Sequence, residues 1–276
     1  MAVALLACTS RGCGLPLERR ERTLACASGH SYDVARSGYV NLLQPQDRRS
    51  PRAGDSPEAL RARADLLSAG VGLSILNGFA ERAAALDLDD TSVVTDLGSG
   101  GGDLLARLAR RRPITGIGID ISAPAADQAA RRFPGLTWLV ANADRRLPLV
   151  DGSVALVLSL HGRRNPKESS RVLAPGGFLL VGVPAPDDLI ELRAVVQEHG
   201  VVRERADALL AEHEALFTLV KRTSIREQPL LTRESLLNLL RGTYRGARRH
   251  DAERVETLDS LKVTLASESF LFRRRA

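Results

Sequence analysis

The chain has 276 residues, of which 44% are hydrophobic and 26% charged, and a net charge of +6. This length and composition fit one large or two modest globular domains and exclude a disordered chain. No apolar run approaches the ~20 residues that span a bilayer, and the apolar stretch after Met1 is shorter than that of a signal peptide. We therefore expect a cytoplasmic protein.

The charge is unevenly distributed along the chain. Residues 1–66 and 221–276 carry an excess of basic residues, whereas residues 67–220 carry an excess of acidic ones. A catalytic core flanked by segments that contact a polyanion has this pattern. An arginine-rich surface that is only solvated explains it equally well.

Four potential metal ligands lie within the first 30 residues. Cys8, Cys13, Cys26 and His30 have the spacing C-x4-C-x12-C-x3-H. Two close pairs separated by a dozen residues are typical of a zinc knuckle or ribbon, and three thiolates with one imidazole fill a tetrahedral site. The pattern predicts a structural zinc ion in a module of residues 1–43; chance placement of small residues is the alternative.

A linker rich in proline and arginine follows over residues 44–57, and two helices follow the linker. Ser56 as a cap and Pro57 in the first turn predict a helix that reaches Ala69. Leucines and Phe79 at helical spacing predict a second helix over 73–86.

The central motif of the chain is the stretch Val93–Gly102. A β-branched apolar run ends in a glycine cluster, and a helical pattern begins at Leu104. A strand, a glycine turn and a helix bring backbone N–H groups close to a nucleotide-like ligand. The spacing D-x-G-x-G-x-G resembles the first motif of class I S-adenosylmethionine (SAM) methyltransferases, which makes the following residues candidates for cofactor binding: Asp96, Gly98, Gly100, Gly101 and Gly102. An ordinary tight turn is the alternative.

Further strands carry the other candidate residues of a nucleotide site. The strand over 115–120 ends at Asp120, whose carboxylate is placed to accept hydrogen bonds from both ribose hydroxyls. The strand that begins at Trp138 ends in a turn that holds Asn142 and Asp144. In many class I enzymes an acid in that turn holds the adenine amino group, and the register leaves open which of the two would do so.

The second half of the chain supplies the remaining strands. Strands are predicted over 154–160 and 178–183, and Thr264–Phe272 is predicted to close the sheet. Residues 189–240 alternate helical apolar patterns with basic clusters. The stretch Arg241–His250 places one aromatic residue, Tyr244, among several arginines, which suits RNA; a solvated loop is equally consistent with it.

Two segments of the N-terminal part point to a family. Residues 32–43, YDVARSGYVNLL, and the Gly54-Asp55-Ser56 linker ahead of a SAM domain resemble the bacterial large-subunit rRNA (guanine-N1)-methyltransferases, which include macrolide-resistance members. The resemblance implies a class I α/β fold, a Rossmann-like sheet of seven strands with the zinc module in front and a methyltransferase domain over 58–276. It also implies a homodimer that methylates N1 of a guanine in a hairpin of 23S rRNA.

The resemblance is incomplete around the reacting groups. Asp188 stands where the family has a cofactor-contacting histidine, and residues 159–166 are polar and basic where the family has a short Tyr-Ser/Ala-Pro segment. Guanine N1 carries a proton at neutral pH, so His161 is a candidate base, or it positions the guanine by hydrogen bonding. Two other functions fit the sequence: a small-molecule SAM methyltransferase with a structural zinc module, and a non-enzymatic RNA-binding protein with a SAM-like fold.

Overall fold

The computed structural model describes residues 2–47, 54–197, 204–243 and 249–275. Within these ranges, no helix combines the length and the hydropathy that crossing a bilayer requires. Residues 48–53 of the predicted linker lie outside the described residues, as do residues 244–248, which include the predicted RNA-stacking Tyr244.

The N-terminal residues form a small antiparallel sheet and then join a larger one. Strands β1 (Glu18–Arg20), β2 (Thr23–Ala25) and β3 (Ser31–Asp33) pair in that order. Strand β4 (Val40–Asn41) then lies parallel to residues 139–140 at the border of the large sheet. The N-terminal module is therefore hydrogen-bonded to the main body of the protein.

The large sheet is the α/β architecture that the sequence predicts. The chain continues with β5 (Val93–Leu97), β6 (Thr115–Asp120), β7 (Thr137–Val140), β8 (Val154–Leu160), β9 (Leu173–Pro184), β10 (Phe217–Glu227), β11 (Leu230–Thr232), β12 (Ser260–Lys262) and β13 (Leu265–Arg274). The sheet order is β10-β13-β9-β8-β5-β6-β7-β4, and β11 pairs with β12 separately. Neighbouring strands from β4 to β9 are parallel, so their carboxyl ends share the edge where open α/β sheets bind ligands.

Helices cover both faces of this sheet. They are α1 (Pro57–Ser68), α2 (Leu73–Ala84), α3 (Asp103–Arg111), α4 (Ala123–Arg132), α5 (Pro166–Val172), α6 (Ile190–Gln197), α7 (Ala206–His213), α8 (Arg233–Thr243) and α9 (Arg249–Glu256). The side chains of Ser56, Ser122 and Asn165 cap α1, α4 and α5 by accepting N–H groups of the first turn. The predicted cap at Ser56 and both predicted helices before the central motif are confirmed.

One apolar core is shared by the N-terminal module and the large sheet. Leu6, Leu24 and Val40 of the module are fully buried against the same cluster that contains Ile119 and Leu139. The chain around Leu6 also forms an isolated β-bridge to Leu149. Burial of this shared surface, at about 25 cal/mol per Å² of apolar area, fixes the module against the sheet.

Two predictions about the sheet need correction. The described residues form an eight-stranded large sheet, not one of seven strands, because β4 adds itself to β7. The prediction of helical patterns throughout 189–240 is wrong for 217–227, which form the long strand β10. Most side chains of β10 are exposed, and its partner β13 lies roughly 40 residues or more away in sequence, so its strand character comes from long-range pairing.

Candidate functional site

The glycine loop between β5 and α3 is shaped by its neighbours. Gly98, Gly100 and Gly102 have φ values of +74°, +51° and +83°, a region that glycine occupies without strain. A Cβ atom at Gly102 would lie 2.5 Å from the Trp138 ring, and one at Gly98 would lie 3.1 Å from the Cα atom of Gly162. The loop is therefore held between β7 and the segment that follows β8.

Asp120, at the end of β6, is hydrogen-bonded to this loop. Its carboxylate oxygens accept hydrogen bonds from the N–H groups of Gly100, at 2.9 Å, and Ser122, at 2.8 Å. Burial raises the pKa of Asp120, and these two N–H groups partly offset that effect. The adjacent Asp96 is fully buried, and desolvation together with the charge of Asp120 raises its pKa to about 7. Two carboxyl groups in a low-dielectric site favour a cationic or hydrogen-bonding ligand.

A cavity opens above the loop. Its walls come from the glycine loop and from helices α1 and α2, with Asp96 at its base; the lining residues are Leu60, Arg63, Ala64, Leu67, Leu76, Asp96, Gly98, Ser99, Gly100, Gly101, Asp103, Leu104, Gln128 and Leu160. Four predicted cofactor residues, Asp96, Gly98, Gly100 and Gly101, thus line one cavity. Gly102 lies behind the lining, against Trp138.

Arg63 is a cavity residue that the sequence did not single out. Its guanidinium pairs with the carboxylate of Asp55 in the linker, and its Nε–H donates to the carbonyl oxygen of Gly242 in α8, at 2.7 Å. The Oγ–H of Ser122 donates to the carbonyl oxygen of Asp55, at 2.8 Å, which fastens the same linker to the end of β6. The only signal in the sequence is a charged side chain on the face of α1 that also carries Leu60 and Leu67.

Three other predicted cofactor residues, Asp120, Asn142 and Asp188, do not line the cavity, although Asp120 contacts the loop at Gly100. Asn142 is buried after β7, and its Oδ1 accepts the N–H of Asp144 at 2.9 Å. Asp188 lies after β9, where its Oδ1 accepts the N–H of Ala266 at 2.9 Å; burial raises its pKa to about 6. Asp188 is thus tied to the backbone of β13, and its cofactor role stays a prediction.

His161 directly follows β8 on the ligand-binding edge of the sheet. Its backbone has φ +54°, and its N–H donates to the carbonyl oxygen of Gly182 at 2.9 Å. Its Nε2 lies 2.7 Å from the Oγ of Ser267. Surrounding protein, together with the charges of Arg205 and Arg63, lowers the pKa of His161 to about 4. The side chain of His161 is reached by solvent, so burial accounts for less of the lowered pKa. The repulsion between a protonated ring and the two arginines remains.

The four predicted zinc ligands converge in the N-terminal module. One ligand atom from each of Cys8, Cys13, Cys26 and His30 lies within 4.8 Å of the others. The sulfurs of Cys13 and Cys26 are 3.8 Å apart, and the Nδ1 of His30 lies 3.4 Å from the sulfur of Cys26. A tetrahedral zinc ion with Zn–S bonds of ~2.3 Å requires sulfurs about 3.8 Å apart, so this donor set fits a structural zinc ion.

Hydrogen bonds around the cluster orient its ligands. The hydroxyl group of Tyr32 lies 3.1 Å from the sulfur of Cys8 and accepts the N–H of Ser10, also at 3.1 Å. Desolvation opposes ionisation of Cys26, but hydrogen bonds from the backbone of His30 and Ser28, with those of the His30 and Cys13 side chains, lower its pKa to about 6. Thiolates are the form that binds zinc, so these contacts favour metal binding.

A basic groove lies elsewhere on the N-terminal module. We use the name basic groove for the concavity lined by Arg19, Arg22, Val34, Ala35, Arg36 and Gly38. Within the described part of the chain, none of its three arginines forms an ion pair with a carboxylate. Unpaired guanidinium groups around a concavity favour an anionic ligand such as phosphate.

Comparisons with known proteins agree with both halves of this arrangement. The zinc-ribbon family described as RlmA, N-terminal, matches residues 12–51, and the methyltransferase domain family matches residues 94–177. The chain is 40% identical to a 23S rRNA (guanine(748)-N(1))-methyltransferase of Streptomyces fradiae over 78% of either chain. It is 35% identical to a proposed 23S rRNA (guanine-N(1)-)-methyltransferase of Micromonospora griseorubida, over 83% of this chain and 82% of the relative.

A solved structure shares the fold. A candidate methyltransferase from Bacillus halodurans C-125 superposes with a TM-score of 0.53 at 15% identity, over 72% of this chain and 99% of that one. At this identity the likeness concerns the fold alone, and it confirms the predicted class I methyltransferase architecture.

Proposed function

The chain belongs to the bacterial 23S rRNA (guanine-N1)-methyltransferase family, and from this premise we propose that it methylates the guanine at the position named 748 for its Streptomyces fradiae relative, in a hairpin loop. The observation that carries the proposal is the extent of the identity, which spans most of both chains, together with the separate match of the zinc ribbon. The enzyme is SAM-dependent and holds a structural zinc ion.

The residues in and around the cavity suit the functional groups of SAM. When bound, SAM supplies a methyl group that its sulfonium sulfur already activates, so the chain acts mainly by positioning. We assign the buried carboxyl of Asp96 to the ammonium group of the methionine end and the guanidinium of Arg63 to its carboxylate. Asp120 receives the ribose hydroxyls, since a carboxylate oxygen can accept a second hydrogen bond beside each backbone N–H. Asn142 is our candidate for the adenine amino group.

The N-terminal module suits the RNA. We assign residues 1–43 to rRNA recognition, 44–57 to a linker and 58–276 to methyl transfer. Guanidinium groups in the basic groove would neutralise phosphates of the hairpin, with counterion release as the driving force. Because N1 of guanine is buried in a Watson–Crick pair, the target nucleotide has to be unpaired or flipped out.

Methyl transfer to isolated RNA tests this function. Purified enzyme with radiolabelled SAM is offered total RNA, 23S rRNA without the modification, and free nucleosides, and the product nucleotide is mapped by mass spectrometry. We expect one N1-methylguanine in a single hairpin of 23S rRNA. SAM binding without transfer to any RNA would indicate a small-molecule substrate, and loss of SAM binding would indicate a non-enzymatic RNA-binding protein.

Two features of the assembly stay predictions. The homodimer follows from the family resemblance, and light scattering of the purified, zinc-loaded protein would show a mass of two chains. A cytoplasmic location follows from the rRNA substrate, and fractionation of the producing cells would place the protein with ribosome precursors.

A further inference from the structure

The side chains of His161 and Ser267 form a pair between two strands. Ser267 lies in β13 and is fully buried, whereas His161 at the end of β8 is open to solvent on the ligand-binding edge of the sheet. The 2.7 Å between Nε2 and Oγ is a short hydrogen bond, and either atom is able to donate it. Which one donates decides where the proton of the neutral imidazole resides.

The hydrogen-bond partners of Ser267 decide which of the two atoms donates. Within the described residues, the hydroxyl group of Ser267 has no side-chain or carbonyl partner other than Nε2 of His161. If Nε2 carried the proton, the hydroxyl hydrogen of Ser267 would be buried without an acceptor, a costly arrangement that folded proteins avoid. Oγ–H therefore donates to Nε2, and a neutral ring then carries its proton on Nδ1. The positive charges of Arg205 and Arg63 favour this neutral ring.

Nδ1 is the ring nitrogen of His161 that Ser267 leaves free. Within the described part of the chain it has no protein partner, and the side chain is reached by solvent. The backbone at His161 is left-handed. The next residue, Gly162, packs against the start of the glycine loop, where a Cβ atom would overlap the carbonyl oxygen of Leu97. His161 thus lies between Leu160, which lines the cavity assigned to SAM, and Gly162, which packs against the glycine loop.

We propose that Ser267 is a positioning residue that fixes the Nδ1–H tautomer of His161, and that this N–H donates a hydrogen bond to O6 of the target guanine. The proposal rests on the proposed function. Guanine N1 loses its proton to water, and the resulting negative charge spreads from N1 onto the adjacent O6. A donor at O6 stabilises that charge and holds the guanine in register, while His161 keeps its own proton throughout. In this arrangement His161 is a hydrogen-bond donor and not the base.

Two pairs of variants separate this arrangement from general base catalysis. The side-chain amide of asparagine overlaps Nδ1 of histidine, whereas that of glutamine overlaps Nε2. We expect His161→Gln to lower kcat by about 100-fold, as expected for a lost donor to a developing oxyanion, and His161→Asn to stay within about 10-fold of the wild type. Ser267→Ala should lower kcat with little change in KM for the RNA, and Ser267→Thr should restore it.

The tautomer has a readout that does not depend on activity. Two-bond ¹H–¹⁵N correlation spectra of ¹⁵N-histidine-labelled wild-type protein distinguish protonated from unprotonated ring nitrogens, and the His161→Gln spectrum identifies the peaks of His161. We expect a single Nδ1–H tautomer in the wild type and a mixture in Ser267→Ala. An Nε2–H tautomer for the peaks so assigned would overturn the proposal, and the His161→Asn spectrum supplies the same assignment if His161→Gln does not fold.

The activity results also separate the two hypotheses. Equal activities of His161→Asn and His161→Gln in an otherwise active enzyme would refute the role of His161 and leave the proposed function intact. A wild-type enzyme that transfers no methyl group to rRNA would instead refute the function on which the role depends. Thermal unfolding and SAM affinity, measured for each variant, identify those whose fold or cofactor site has changed.

Discussion

The buried carboxyl of Asp96 should make the stability of the SAM-free protein depend on pH. Its pKa is about 7 in the folded chain and 3.8 for the free side chain. At ~1.4 kcal/mol for each unit of pKa, the difference corresponds to roughly 4 kcal/mol. The folded chain binds this proton more tightly than the unfolded chain, so the free energy of unfolding falls as the pH rises from about 4 to about 7.

Replacing Asp96 by asparagine removes this titration. The amide is neutral at every pH, so any cost of the substitution itself is the same across the pH range. We therefore subtract the free energy of unfolding of the wild type from that of Asp96→Asn. This difference should increase by up to roughly 4 kcal/mol between about pH 4 and pH 8, because only the wild type loses stability over that range.

Urea denaturation of SAM-free, zinc-loaded protein at several pH values measures this difference. Groups that do not interact with Asp96, notably Asp188, contribute equally to both proteins and cancel, whereas Asp120 interacts with Asp96 and its titration forms part of the measured difference. Asp90→Asn, on the exposed turn before β5, is the matched control and should leave the pH dependence of the wild type unchanged. A constant difference between Asp96→Asn and the wild type across this range would refute the raised pKa.

Three further predictions concern packing, metal and RNA. Gly118→Ala should destabilise the fold by about 1–3 kcal/mol in thermal or urea unfolding, because its Cβ would overlap the Trp138 ring, whereas Gly135→Ala meets open space and should unfold like the wild type. Zinc removal by a chelator should lower the melting temperature of the whole chain in circular dichroism, because the module shares its core with the large sheet; an unchanged main transition would show that the module is energetically separate. Alanine at all three arginines of the basic groove should weaken RNA binding and reduce the slope of log K against log salt by about 2–3, whereas alanine at Arg110, an exposed residue near the end of α3, should not.

The features that the sequence predicted well are local ones. The glycine loop depends on residues that adjoin one another, and its left-handed φ values follow from the absence of a Cβ. The candidate zinc ligands follow two short spacings, and the structure brings the four predicted residues, Cys8, Cys13, Cys26 and His30, together. In both cases the residue types themselves carry the signal, so positions close together in the sequence are enough to recognise the pattern.

The features that the sequence did not predict depend on distant partners. Strand β10 contains apolar residues at spacings that also fit a helix, and its partner in β13 decides the outcome. In the sequence, Arg63 is one of several charged residues of α1. Its contacts with Asp55 and with the end of α8 are visible only in the folded chain. The tautomer of His161 likewise depends on Ser267, which is 106 residues away.

The position of the N-terminal module has a consequence for how RNA reaches the cavity. Strand β4 is hydrogen-bonded to β7, and Leu6 and Val40 are buried in the core that also holds Leu139. A shared core of this kind resists hinge motion, since separating the module would expose fully buried side chains to water. The distance between the basic groove and the glycine loop is therefore fixed by the fold. If the basic groove binds the rRNA as we propose, adjustment between the bound RNA and the reacting guanine has to come from the RNA, which agrees with our proposal that the target nucleotide is unpaired or flipped out.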